Sequence, residues 1–129
     1  MSAPTTVLVV EDEEGFIEAL TSGLAREGFR VQVARDGAQA LAMFPAVEPD
    51  LVLLDVMLPK RSGFDVLKQI RADVDMHSLP VLILTAKGQQ QDRRIAEDLG
   101  ADAFVTKPYS NAEVVSVVRG ILGQNAGQA

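Results

Sequence analysis

The chain contains no cysteine and a single histidine, His77. Disulfides, thiolate metal sites and cysteine nucleophiles are thereby excluded, and no cluster of imidazole ligands can be assembled. Positive charge is also scarce, with 12 Lys and Arg against 18 Asp and Glu and a formal net charge of -6 at pH 7. No basic face is left over to release counterions from a phosphate backbone, so direct nucleic-acid binding is not expected. No charged-then-apolar leader opens the sequence, and no apolar run is long enough to cross a bilayer. The expectation is a cytoplasmic protein without membrane contact, a compartment that absent cysteine permits but does not prove.

What is present is the composition of an ordinary folded domain. At 129 residues, 47% hydrophobic and 23% charged, the chain can bury a core without disulfides or a structural metal. One domain over residues 1–122 is expected, with "GQNAGQA" at 123–129 as a disordered tail. Three uninterrupted aliphatic runs, "VLVV" from Val7, "LVLL" from Leu51 and "VLIL" from Val81, read as strands covered on both faces. "RVQVA" from Arg30 alternates as a half-exposed edge strand should, and "AFVT" from Ala103 is a short outer strand. Helical spacing fills the gaps: Phe16, Ile17, Leu20 and Leu24 before a stop at Gly28, then 38–44, 64–72, 89–99 and 111–122. "SNAE" from Ser110 is a capping box, whereas the helix around Ile95, Ala96 and Leu99 is sparsely apolar and loosely held. Five alternations of strand and helix predict an α/β, three-layer, doubly wound sandwich. Its sheet is parallel, five-stranded and ordered 2-1-3-4-5, the flavodoxin-like arrangement with five helices.

In such a sheet, whatever follows each strand collects along one edge. That edge receives "EDEE" at Glu11 to Glu14, then Asp55, then Thr85 and Ala86, then Thr106, Lys107 and Pro108. Carboxylates brought so close repel unless a cation lies among them, and an all-oxygen donor set suits magnesium, manganese or calcium, with magnesium (Mg2+) first. Lys107 adds a compact positive charge and Thr85 a donor, outlining a pocket for a tetrahedral anion. Asp55 closes the greasiest stretch of the chain, and an aspartate so placed can attack phosphorus when cations offset the developing charge.

Each feature has a plainer reading. Glu13 and Glu14 serve equally as a solvated helix start favoured by the dipole, and an Asp ending a strand is usually a turn residue. Thr85 could bond its own backbone, "KP" is a common loop pair, Phe104 fits plain core packing, and His77 reads as a solvated loop histidine. Convergence on one edge favours the functional reading over four separate accidents.

"VLVVEDE", "DLVLLDVMLP", "LPVLILTA" and "ADAFVTKP", in this order and spacing, closely resemble the receiver domain of bacterial two-component response regulators, over about Thr6 to Leu122. The resemblance implies that Asp55 accepts a phosphoryl group from a phosphohistidine on a sensor histidine kinase or histidine phosphotransfer protein, within a two-component system or phosphorelay. It implies an acidic pair at Glu11 and Asp12, with Asp12, Asp55 and the Met57 backbone carbonyl as magnesium ligands. Thr85 and Lys107 would hold the phosphoryl oxygens, the Lys107 to Pro108 bond would be cis, and Phe104 would be an aromatic switch. The expected module catalyses only its own phosphorylation and dephosphorylation, as a free-standing receiver, and switches the surface of its fourth helix, fifth strand and fifth helix for a downstream protein. Some relatives dimerise there through charge pairs; Arg93, Asp102 and Glu113 are kept, but Val117 replaces a basic residue. A monomer exchanging among partners is therefore expected over a phosphorylation-dependent dimer. Further departures are Arg61 in "KRSG", where relatives carry an apolar residue, and Met57 and Lys87, where relatives vary phosphoryl lifetime. The competing function is a magnesium-dependent phosphatase with Asp55 as nucleophile, disfavoured because such enzymes carry their nucleophile after the first strand. Nucleotide or flavin binding would want glycines where "VEDEEG" offers acids.

Overall fold

A computed structural model of the chain describes residues 5–59, 62–85 and 90–123. Strands β1 (Thr6–Val10), β2 (Arg30–Ala34), β3 (Leu51–Asp55), β4 (Val81–Thr85) and β5 (Ala103–Thr106) alternate with helices α1 (Glu14–Arg26), α2 (Gly37–Val47), α3 (Gly63–Ala72), α4 (Gln90–Asp98) and α5 (Asn111–Ile121). All pairings are parallel and the order is β2-β1-β3-β4-β5, as the sequence predicts.

The aliphatic runs are central because they carry apolar side chains on both faces. β1, β3 and β4 are buried throughout, whereas β2 alternates exposed and half-buried positions and takes an edge. Period-two alternation then divides the core. Leu8, Val10, Val52, Leu54, Val81 and Ile83 face α2, α3 and α4 through Phe44, Val66, Leu67, Ile70 and Ala96. Val7, Val9, Leu51, Leu53, Leu82, Leu84 and Val105 face α1 and α5 through Leu20, Leu24, Val114 and Val118.

Side-chain caps set three helix starts: Asp36, Ser62 and Ser110 accept from the backbone N–H groups of Gln39, Asp65 and Glu113. Gly28, two residues past α1, has φ 94° and supplies the left-handed turn that its position predicts. α2 runs past the expected stop at Phe44, over Pro45, and closes with Glu48 N–H on the Phe44 carbonyl at 2.9 Å. Proline forfeits only its own N–H bond here, close to the helix end. α4 buries only Ala96 and leaves Ile95 exposed, so its hold on the sheet is as slight as its sequence suggests. Gln89 at its expected start, and residues 124–129 of the expected tail, lie outside the described residues.

Two of the residues that relatives use for charge pairs between copies, Asp102 and Arg93, have partners within the chain. Asp102 Oδ2 accepts from Arg71 Nη2 at 3.0 Å and from Val81 N–H at 2.8 Å, while Arg93 covers the Phe104 ring.

Candidate functional site

Three strand ends build the site. β1 and β3 run in register, Val10 opposite Leu54, so Glu11, just past β1, and Asp55, the last residue of β3, emerge side by side. Glu11 N–H still pairs with the Ala34 carbonyl at 3.0 Å, which fixes its backbone as an extension of the sheet. β5 ends at Thr106, and Lys107 N–H donates to the Thr85 carbonyl at 2.7 Å, carrying the lysine to the same edge. The Lys107–Pro108 peptide is cis, as expected.

The side chains meet closely. Lys107 Nζ lies 3.2 Å from Glu11 Oε1 and 3.1 Å from Asp55 Oδ2. Asp55 Oδ1 accepts from Met57 N–H at 3.1 Å, and Glu11 Oε2 accepts from the N–H groups of Asp12 and Glu13 at 3.1 and 3.2 Å. The Asp55 carboxylate is thus gripped at both oxygens while only 3% of the residue is exposed, so it is more deeply set than an aspartate at a wet rim. Asp12 stands exposed, and one oxygen each from Glu11, Asp12 and Asp55 lie within 4.8 Å of one another. An all-oxygen set with a single exposed member fits a small hard cation that keeps part of its water shell.

Electrostatics follow from crowding in a dry place. Burial, then the hydrogen bond and negative charge of Asp55, push the Glu11 carboxyl up to about 7, although Glu13 N–H and Lys107 pull the other way. Burial alone would lower Lys107, but the hydrogen bonds and charges of Asp55 and Glu11 outweigh it and hold the ammonium above its usual range. Tyr109 is pushed up by burial and then by the charges of Glu11, Asp55 and Glu13.

Thr85 arrives from the other face of the sheet. It continues the alternation of Val81 and Ile83, so it shares the α3 and α4 side with Phe104, which pairs in register with Ile83. Its residue is 1% exposed and its hydroxyl has no hydrogen-bond partner, so the plain reading of a hydroxyl bonded to its own backbone does not hold. A buried unpaired hydroxyl is costly, and its natural complement is an acceptor brought from outside.

Glu14, by contrast, is exposed and pairs with Arg35, and His77 is an exposed loop residue whose Nδ1 lies 3.2 Å from the Val74 carbonyl. Met57 is 73% exposed at the rim, and Arg61, Ala86 and Lys87 lie outside the described residues. A groove of about 760 Å³ opens at the opposite edge of the sheet between Phe44, Asp50, Met76 and Leu79, away from this chemistry.

Sequence reasoning passed over three residues. Phe16, in the first turn of α1, places its ring centroid 4.2 Å from Lys107 Nζ, and Tyr109 packs on Phe16 at 5.7 Å between centroids. Gly63 starts α3 so near the Asp55 backbone that a Cβ there would lie 2.3 Å from the Asp55 carbonyl oxygen. Nothing local in the sequence betrays either the approach of Lys107 to Phe16 or the need for glycine at Gly63.

A family model described as the response regulator receiver domain matches residues 7–119. The sensory transduction protein RegX3 of Mycolicibacterium smegmatis is 46% identical over 122 residues, 95% of this chain and 52% of that protein. The chain therefore spans about half the length of the curated relatives it matches. Among solved structures, the phosphorylated cyanobacterial phytochrome response regulator RcpA superposes with a TM-score of 0.80 at 30% identity, covering 92% of this chain and 91% of that one. The receiver domain of a Pseudomonas aeruginosa sensor histidine kinase, with a magnesium ion coordinated in its active-site cleft, gives 0.86 at 29% identity, covering 94% and 99%.

Proposed function

The chain belongs to the response regulator receiver family, and from that premise we propose that Asp55 accepts a phosphoryl group from a phosphohistidine of a sensor histidine kinase or histidine phosphotransfer protein. The observation that carries the assignment is the grip on Asp55, whose two oxygens are divided between Lys107 Nζ and Met57 N–H. A carboxylate so held cannot rotate away, and it presents an oxygen to phosphorus in one orientation. As that oxygen bonds to phosphorus, the phosphorus–nitrogen bond breaks and its electron pair returns to the donor imidazole.

Asp12 and Asp55, with the Met57 carbonyl, are the groups that would hold magnesium, and Glu11, which accepts from Lys107 Nζ and from the N–H groups of Asp12 and Glu13, orients the set. Magnesium would supply neutralisation of the charge gathering on the transferred oxygens. Lys107, released from Asp55 Oδ2, follows the charge onto a phosphoryl oxygen, and the unpaired Thr85 hydroxyl donates to another. Movement of Thr85 opens room on the α4 side for the Phe104 ring, so the surface of α4, β5 and α5 changes shape for a downstream protein. Water later removes the phosphoryl group, restoring the carboxylate. The chain works as a monomer toward its partners, a reading supported by Val117, which stands where relatives that pair between copies carry a basic residue.

Intact mass after incubation with acetyl phosphate and Mg2+ tests the assignment. One added phosphoryl group is expected, and none in Asp55→Asn; modification that persists in the variant overturns it.

A further inference from the structure

We propose that Phe16 is a positioning residue for Lys107, holding the ammonium against Asp55 through the face of its ring; the proposal rests on the phosphoacceptor reading for its consequence but not for its geometry. Lys107 Nζ has two carboxylates within 3.2 Å, and 4.2 Å away lies the Phe16 centroid. That distance is well inside the range at which a ring quadrupole attracts a cation. The ring is itself braced. Tyr109, two residues beyond Lys107 on the same connection, packs against it with planes inclined at 39°.

The placement of Phe16 is not that of a core residue. Ile17 and Leu20 on the same helix are buried, whereas Phe16 is half-exposed at the rim, so packing alone does not call for an aromatic ring here. A flexible four-carbon lysine stem needs such a stop, because water competes for every donor that a carboxylate leaves unclaimed. Attraction to a ring face depends weakly on direction, unlike a hydrogen bond. Lys107 can therefore exchange Asp55 Oδ2 for a phosphoryl oxygen while keeping Phe16 as a constant third partner. The ring also keeps water from one side of the ammonium at the moment of exchange.

Phe16→Leu retains an apolar side chain and removes the quadrupole; Phe16→Tyr retains both. In the full chain with carbon-13-labelled lysine, the Lys107 ε-methylene protons are expected upfield of every other lysine because of the ring current. They should move back toward the common position in Phe16→Leu and stay upfield in Phe16→Tyr. Phosphorylation by acetyl phosphate with Mg2+ should slow about two- to fivefold in Phe16→Leu, with Phe16→Tyr restored to the wild-type rate. An ordinary Lys107 resonance in the wild type, an undiminished rate in Phe16→Leu, or loss in both variants alike overturns the proposal. A wild-type chain that takes up no phosphoryl group counts against the phosphoacceptor reading alone, and the Lys107 resonance then decides the role of Phe16.

Discussion

The guanidinium of Arg93 on α4 lies 4.4 Å from the centroid of the Phe104 ring on β5. α4 buries only Ala96, so this contact adds to a slight hold on the sheet. Cation–π contacts at half-exposed sites contribute about 0.5–1 kcal/mol. Arg93→Ala should therefore speed amide exchange across α4 and β5 roughly two- to fivefold with no phosphoryl group present. Unchanged exchange would show that the arginine merely rests on the ring.

Removing the exposed acid tests the metal. Asp12→Ala should bind Mg2+ roughly 10- to 100-fold more weakly by calorimetric titration while keeping its fold, because its neighbours Glu11 and Asp55 retain Lys107. Without metal it should melt no lower than wild type, as one repelling charge has gone. Equal Mg2+ affinity in both proteins would remove Asp12 from the ligand set.

Glu11 gives the chain a dependence on pH. Its ordinary value of 4.5 applies when unfolded and its folded value is about 7, so between these the folded protein holds a proton that the unfolded chain has lost. The stability this supplies is complete below about 4.5 and disappears as pH rises through about 7, a change on the order of a few kcal/mol. Urea denaturation in chelator should show wild type weaker at pH 8 than at pH 5, and Glu11→Gln should flatten that difference. Added Mg2+ should recover the wild type at pH 8. Parallel pH profiles for wild type and Glu11→Gln would refute the burial account.

Gly63 is predicted to be intolerant of a single methyl group. A Cβ would lie 2.3 Å from the Asp55 carbonyl oxygen and 2.9 Å from Val56 Cα, both backbone atoms. Gly63→Ala should cost about 1–3 kcal/mol by denaturant titration and slow phosphorylation, since the strain falls on the residue that carries Asp55. Full stability and full rate together would mean that α3 can back away freely.

The architecture was legible because its signals are additive along the chain. Three buried aliphatic runs and one alternating edge strand dictate the sheet, and the residues after each strand dictate which edge carries Glu11, Asp55 and Lys107. The site was less legible in its supports. Phe16 looks like any helical hydrophobe until β5 brings Lys107 beneath it, and the need for glycine at Gly63 arises from a backbone approach that no local pattern encodes. Asp102 shows the same limit: its partner Arg71 lies thirty-one positions away, and no local pattern announces the pair.

Arg71 makes the molecule a cantilever. Its guanidinium donates to the carbonyls of His77, Leu79 and Gly100 and to Asp102, while Asp102 and Asp50 each take a strand-opening N–H, of Val81 and Thr6. All of these ties lie where the strands begin. Where the strands end, Thr85 and Tyr109 carry buried hydroxyls with no partner. The root of the beam is the more densely tied end, and α4, which buries only Ala96, is held there beyond Asp98 through Gly100. If the proposed switch at Thr85 operates, amide exchange should therefore change most at the start of α4 and least beside Gly100.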